Sequence, residues 1–127
     1  MAAILNVIER AYQGTLEEQD DQALWLVSAL RNAGAEQRVL LRGPATAYAV
    51  AGQSVQPLRI GGVSTGQPPA IDEDLKRLVA QGVPVWAVQE DAEERGISPA
   101  EALPEVQWVS RAGVAGLFRE AERVFAW

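Results

Sequence analysis

Two short, almost uninterrupted apolar runs, Ala3–Ile8 (AILNVI) and Val83–Val88 (VPVWAV), read as buried strands, and Gln37–Leu41 (QRVLL) between them reads as another strand. A strand with one wet face alternates apolar and polar residues, whereas a strand covered on both faces reads as a continuous run. Cover on both faces has to come from elements between the strands, and the intervening segments carry helical periodicity. The pattern therefore predicts an α/β layer with a mostly parallel sheet, as one domain over residues 1–127.

The segments between the runs fill in the order. Thr15-Leu-Glu-Glu18 is a capping box opening a helix whose apolar residues Leu16, Ala23, Leu24, Leu26, Val27 and Leu30 recur up to Gly34. Gly43–Ala51 reads as a short Ala-rich helix ending at Gly52, and Ala70–Gln81 as a helix with Asp72, Glu73 and Asp74 in its first turns. After the third strand come a short acidic helix, Asp91–Arg95, stopped by Gly96, and a second capping box, Ser98-Pro-Ala-Glu101. Val106–Val109 is a fourth strand, Ser110 caps a helix over Arg111–Ala121, and Val124–Trp127 is a short fifth strand. Between them, Gln53–Pro69 is rich in Gly, Pro, Ser and Gln, with a short ordered segment at Leu58–Ile60; so long a loop reads as a binding loop, lid or assembly arm. The expectation is a flavodoxin-like three-layer sandwich with a five-stranded sheet in the order 2-1-3-4-5.

Composition narrows the chemistry. The chain has no Cys and no His. That removes disulfides, thiolate nucleophiles, iron–sulfur clusters, imidazole bases and conventional zinc sites, so no metal or other cofactor is expected. Chemistry is left to carboxylates, hydroxyls, Arg, the single Lys76 and backbone dipoles. Seventeen acidic residues face eleven basic ones, which are scattered singly, so no nucleic-acid surface is expected. No apolar stretch reaches membrane-spanning length and Glu9 comes too early for a signal peptide, so the expected setting is cytoplasmic, without membrane association. No GxGxxG or GxxxxGK[ST] fingerprint is present.

A parallel sheet gathers sequence-distant residues at its carboxyl edge. After strand one come Glu9, Arg10, Tyr12, Gly14 and Thr15; after strand two, Arg42 and Gly43; after strand three, Glu90 and Asp91; after strand four, Ser110 and Arg111. Arg42 or Arg111 is suited to hold a small anionic or polar ligand through a bidentate fork, beside helix N-termini that favour anions. The plainer alternative is that these loop charges pair with one another. Glu17, Glu18, Asp20 and Asp21 form the densest carboxylate cluster, suited either to a hard cation or to complementing the helix dipole. Tyr48 and the four Trp residues divide between core packing and an oligomer interface.

Ile4–Asp21 (ILNVIERAYQGTLEEQDD), Val39-Leu-Leu-Arg-Gly43 with Tyr48-Ala-Val50, and Glu90–Ile97 (EDAEERGI) together resemble the small DsrE/DsrF-like proteins over nearly the whole chain. The resemblance implies a flavodoxin-like domain, a cytoplasmic location and assembly into trimers or hexamers. It also implies a persulfide carried on a cysteine after the third strand. Counted back from Arg95-Gly96, that position falls at or near Val88, and the chain has no thiol anywhere.

The favoured reading is therefore a homo-oligomeric, non-sulfurtransferase module that binds a small ligand or a protein partner. Its candidate pocket is Glu9, Tyr12, Gly14, Thr15, Glu18, Arg42, Gly43, Tyr48, Glu90, Asp91 and Arg111. Two alternatives stand beside it. One is an enzyme using carboxylate acid–base chemistry with Arg anchoring; the other is a structural partner of a cysteine-bearing homologue.

Overall fold

The computed structural model describes residues 3–11, 22–53, 59–64 and 71–127. β1 (Ala3–Ile8) and β2 (Glu36–Leu41) run parallel in register, joined through α1 (Gln22–Asn32). The capping box at Thr15 lies outside the described residues. At the other end of α1, Gly34 takes φ +100, and the N–H groups of Gly34 and Ala35 donate to the carbonyls of Arg31 and Leu30, both at 3.0 Å. A left-handed residue closing the last turn in this way is the expected use of glycine at a helix stop.

After β2 the chain forms a 3-10 helix over Gly43–Ala49, with Pro44 in its first turn. Inside the long loop lies a hairpin, β3 (Arg59–Ile60) and β4 (Val63–Ser64), turned by Gly61 and Gly62 at φ +56 and +81. Two consecutive positive φ values are what a tight two-residue hairpin turn needs. α2 (Ile71–Ala80) leads to β5 (Val85–Val88). β5 starts two residues later than the apolar run because Pro84 has no N–H to donate, although its carbonyl still accepts from Val39 at 3.0 Å.

α3 (Gln89–Glu93) follows at once. Ser98 caps as expected, accepting from the Ala100 N–H at 3.2 Å, but only a 3-10 turn follows, Pro99–Glu101. The chain is then drawn against the end of the first 3-10 helix, where Leu103 N–H donates to Ala49 O at 2.7 Å and Ala51 N–H to Glu101 O at 2.8 Å. β6 (Gln107–Val109) comes next, and then Ser110, whose hydroxyl accepts from the Gly113 N–H at 3.1 Å. A 3-10 turn, Arg111–Gly113, opens into α4 (Val114–Glu120), and β7 (Arg123–Ala126) completes the sheet.

The five-stranded sheet is parallel throughout, in the order β6-β5-β2-β1-β7. Counting only its own strands, that is 4-3-2-1-5, which corrects the expected 2-1-3-4-5. The third strand pairs with the second and not with the first, and the fifth takes the free side of the first. Strand two shows why: Val39, Leu40 and Leu41 are all fully buried, which an edge position would not allow.

This winding splits the core unequally. The first four strands are laid down in one direction, so α1 and α2 fall on one face. There Ala23, Leu24, Val27, Leu75 and Leu78 pack against Ile8, Val39, Leu41, Val85 and Ala87, joined by Tyr48. Only the return from β6 to β7 crosses the other face. α4 lies in it, and Leu117 meets Leu5, Val7, Leu40 and Val88 there. Each of the buried Val, Leu and Ile side chains contributes about 1.5–3 kcal/mol by removal from water.

A buried polar ladder crosses the better-covered face. Asn6 Nδ2 donates to Gln37 Oε1 at 2.9 Å and to Arg38 O at 3.1 Å, while the Trp127 indole N–H donates to Asn6 Oδ1 at 3.3 Å. Asn6 and Gln37 are both fully buried, so these bonds satisfy groups that water cannot reach.

Candidate functional site

The carboxyl edge follows the strand order. From β6 to β1, the residues that leave the sheet are Arg111, then Glu90 and Asp91, then Arg42 and Gly43, then Glu9. The alternation of loops produces alternation of charge. Asp91, in the first turn of α3, accepts from the Gly43 N–H at 2.8 Å through Oδ2, and Arg111 donates to its Oδ1 at 2.5 Å. One carboxylate thus ties the loops after three neighbouring strands. Glu90 accepts the Arg111 backbone N–H with both oxygens at 2.9 Å, and Arg111 also pairs with Glu94 at 3.0 Å. Arg42, one strand further along, pairs with Glu9 at 3.1 Å.

Burial pushes the Asp91 carboxyl up, but the Gly43 N–H, the Arg111 guanidinium and the charge of Arg95 outweigh it and hold Asp91 below its ordinary value. The hydrogen bonds to Asp91 and Glu94 in turn raise Arg111 above the usual arginine value. Asp91 is therefore a carboxylate at neutral pH and Arg111 a cation, each spent on the other. The geometry serves cross-linking of loops and supplies no proton donor at Asp91.

Of the residues expected here, Glu9, Arg42, Gly43, Glu90, Asp91 and Arg111 do lie along one edge. Tyr12, Gly14, Thr15 and Glu18 are outside the described residues, as is the carboxylate cluster at Glu17–Asp21. Tyr48 is elsewhere: it is fully buried in the core between the sheet and the helices, in the cluster that also holds Ala45 and Ala49. Val88, at or near the position where the resemblance puts a thiol, is buried against Leu117 on the other face. Two participants were not expected. Glu94 shares Arg111, and Arg95 donates to the Asp91 carbonyl at 3.0 Å. The i, i+3 and i, i+4 spacing from Asp91 was the available signal for both.

Among the described residues, no three Asp or Glu side chains come close enough to hold a metal ion. No helix of the described residues is long and apolar enough to cross a membrane.

The family model described as the DsrE/DsrF-like family matches residues 10–127. Among solved structures, the ychN protein from E. coli is similar with a TM-score of 0.79 and 26% identity, each chain covered in full at 100%. A protein of unknown function, MTH1491 from Methanobacterium thermoautotrophicum, has a TM-score of 0.69 at 16% identity, again over 100% of both chains, a likeness of fold alone. No curated protein matches the chain.

Proposed function

The chain belongs to the DsrE/DsrF-like family, and from that premise we propose that it is a cysteine-free member that works by binding, as a homo-oligomer, and carries no sulfur. A persulfide needs a thiol, and these 127 residues contain none. A trimer or hexamer in the cytoplasm, built on a flavodoxin-like architecture wound in a different strand order, belongs to the same reading.

The observation that carries it is β7. This strand ends the sheet, is exposed along its whole length, and leaves Val124 and Phe125 41% and 39% accessible. An edge with no partner strand among the described residues, and apolar residues on both faces, is a liability for a lone chain and an asset for an assembly. The carboxyl edge supports a binding role over an acid–base one. Asp91 stays ionised, and Arg42 and Arg111 are already paired, so an anionic ligand there would compete with Glu9, Asp91 or Glu94. A protein surface is the better match to β7.

Light scattering on the size-exclusion peak tests the reading. The expected mass is three or six times 13.7 kDa, falling toward one chain in a Phe125→Ser, Val124→Ser variant that keeps its circular-dichroism spectrum. A wild-type monomer, or an assembly indifferent to the double substitution, would refute it.

A further inference from the structure

We propose that β7 pairs antiparallel with β7 of a second copy of this chain, about a two-fold axis at Phe125, so that two five-stranded sheets join into one. The contact presupposes the homo-oligomer proposed above and specifies its geometry.

The backbone sets the pairing. The Trp127 N–H donates to Val7 O at 2.8 Å, and Trp127 O accepts from the Glu9 N–H at 3.2 Å, so Trp127 spends both groups on the β1 side. Successive residues of a strand turn their N–H and C=O to opposite sides. With Arg123–Ala126 in register on Ile4–Val7, Arg123 and Phe125 therefore also face β1, while Val124 and Ala126 turn both groups to the outer edge. No strand of the described residues lies there. The outward groups sit symmetrically about Phe125. In a two-fold about that residue, the Val124 N–H donates to the carbonyl of the partner's Ala126, and the Val124 carbonyl accepts from the N–H of the partner's Ala126. Symmetry repeats both bonds, and no outward group of Val124 or Ala126 is left over. A two-fold about Val124 would instead set Ala126 against Glu122, whose N–H already donates to Ala3 O at 2.9 Å, leaving the Ala126 carbonyl bare.

The side chains agree with this register. Trp127 packs with the cluster under α1 and α2, so by alternation Phe125 and Arg123 share its face. Leu5, opposite Val124, belongs to the cluster on the other face. About Phe125, the two half-exposed phenyl side chains meet at a non-hydrogen-bonded position, where cross-strand side chains are closest. Val124 falls opposite the partner's Ala126, and Arg123, the one charge in the strand, opposite the partner's Trp127 and not another Arg. β7 also lacks the devices that keep a solvent-facing edge from pairing: it has no Pro, no Lys and no bulge in its register. The opposite edge, β6, is three residues long with Trp108 and Val109 half-buried, so β7 is the more open of the two. A two-fold contact consumes this edge on both copies and closes on itself, so the assembly holds an even number of chains. Of three and six, it selects six.

The cysteine-free sequence makes cross-linking decisive, because Phe125→Cys is then the only thiol in each chain. Residues opposite one another at a non-hydrogen-bonded antiparallel pair have Cα atoms about 4.5 Å apart, within disulfide reach. Oxidation of the assembled protein with copper–phenanthroline should give a reducible band at twice 13.7 kDa from Phe125→Cys. Val124→Cys should give none, because its own counterpart is offset diagonally by two residues. Ala126→Pro removes an outward N–H and leaves the β1 ladder intact, so it should halve the mass seen by light scattering with the circular-dichroism spectrum retained. Three results would each overturn the two-fold pairing and leave the homo-oligomer standing: a wild-type assembly of three chains, a band from Val124→Cys in place of Phe125→Cys, or an Ala126→Pro mass equal to wild type. A wild-type monomer removes both. If Ala126→Pro fails to fold, the two cysteine variants still decide.

Discussion

Removing the carboxylate that ties three loops together should be measurable as lost stability, with a distinctive pH dependence. Asp91→Ala deletes the acceptor for the Gly43 N–H at 2.8 Å and for the Arg111 guanidinium. A hydrogen bond to a charged group contributes about 1.5–3 kcal/mol. The Arg111 side chain is more than half exposed, so its ion pair adds only about 0–1 kcal/mol. The expected loss is about 2–3 kcal/mol, which for a chain of this length lowers the melting temperature by about 8–11 °C. Asp91→Asn keeps an acceptor for Gly43 and should lose about half as much. Asp91 is held below its ordinary 3.8 in the folded state, so its ionised form favours folding. That contribution is complete above the unfolded value and is lost as pH falls through the folded one. Thermal melts followed by circular dichroism should therefore show a constant gap between wild type and Asp91→Asn from pH 7 to about 5, closing below 3.8. A gap undiminished at low pH, or an Asp91→Ala variant as stable as wild type at pH 7, would refute the role assigned to this carboxylate.

Other consequences are simpler to read. Asn6→Leu strands the buried Gln37 amide and the Trp127 indole N–H, and should lower the urea midpoint by an amount equivalent to about 2–4 kcal/mol. Trp127→Phe removes only the longest bond of that ladder and should cost about 1 kcal/mol in the same assay. Gly43→Ala meets no heavy atom within 4 Å of the new Cβ, so its cost is the strain of φ +56 alone, about 1 kcal/mol by thermal melt. A much larger loss would mean that the turn, with its N–H on Asp91, cannot adjust.

The elements were legible where burial forces a pattern. The run Ala3–Ile8 forms β1 between the same residues, because a strand covered on both faces can hold little that is polar. The exception inside it, Asn6, is legible only afterwards, when Gln37 and Trp127 are seen to complete it. Residues at the carboxyl edge were legible because a parallel sheet must put the loops after its strands at one end. Their pairing was not, since Asp91 meets Gly43 only if β5 lies beside β2, and helix–strand alternation does not encode which way each crossover steps. Fully apolar Val39-Leu-Leu41 held that information, as interior strands must. The burial of Tyr48 was not legible: an aromatic beside a polar loop resembles a site, and only the folded chain shows it in the core cluster with Ala45 and Ala49.

The sheet order also bears on how the chain folds. β7 pairs Arg123–Ala126 with Ile4–Val7, so the first strand acquires its second neighbour only after the chain has been made through β7. Until then Leu5, Val7 and Ile8, all buried in the finished molecule, lie on a strand with one open side. Contacts of such separation form late and slow folding. Until β7 docks, the chain presents a strand that is apolar but for Asn6 as a template for its neighbours, so the docking of β7 is also the step that retires this aggregation-prone edge.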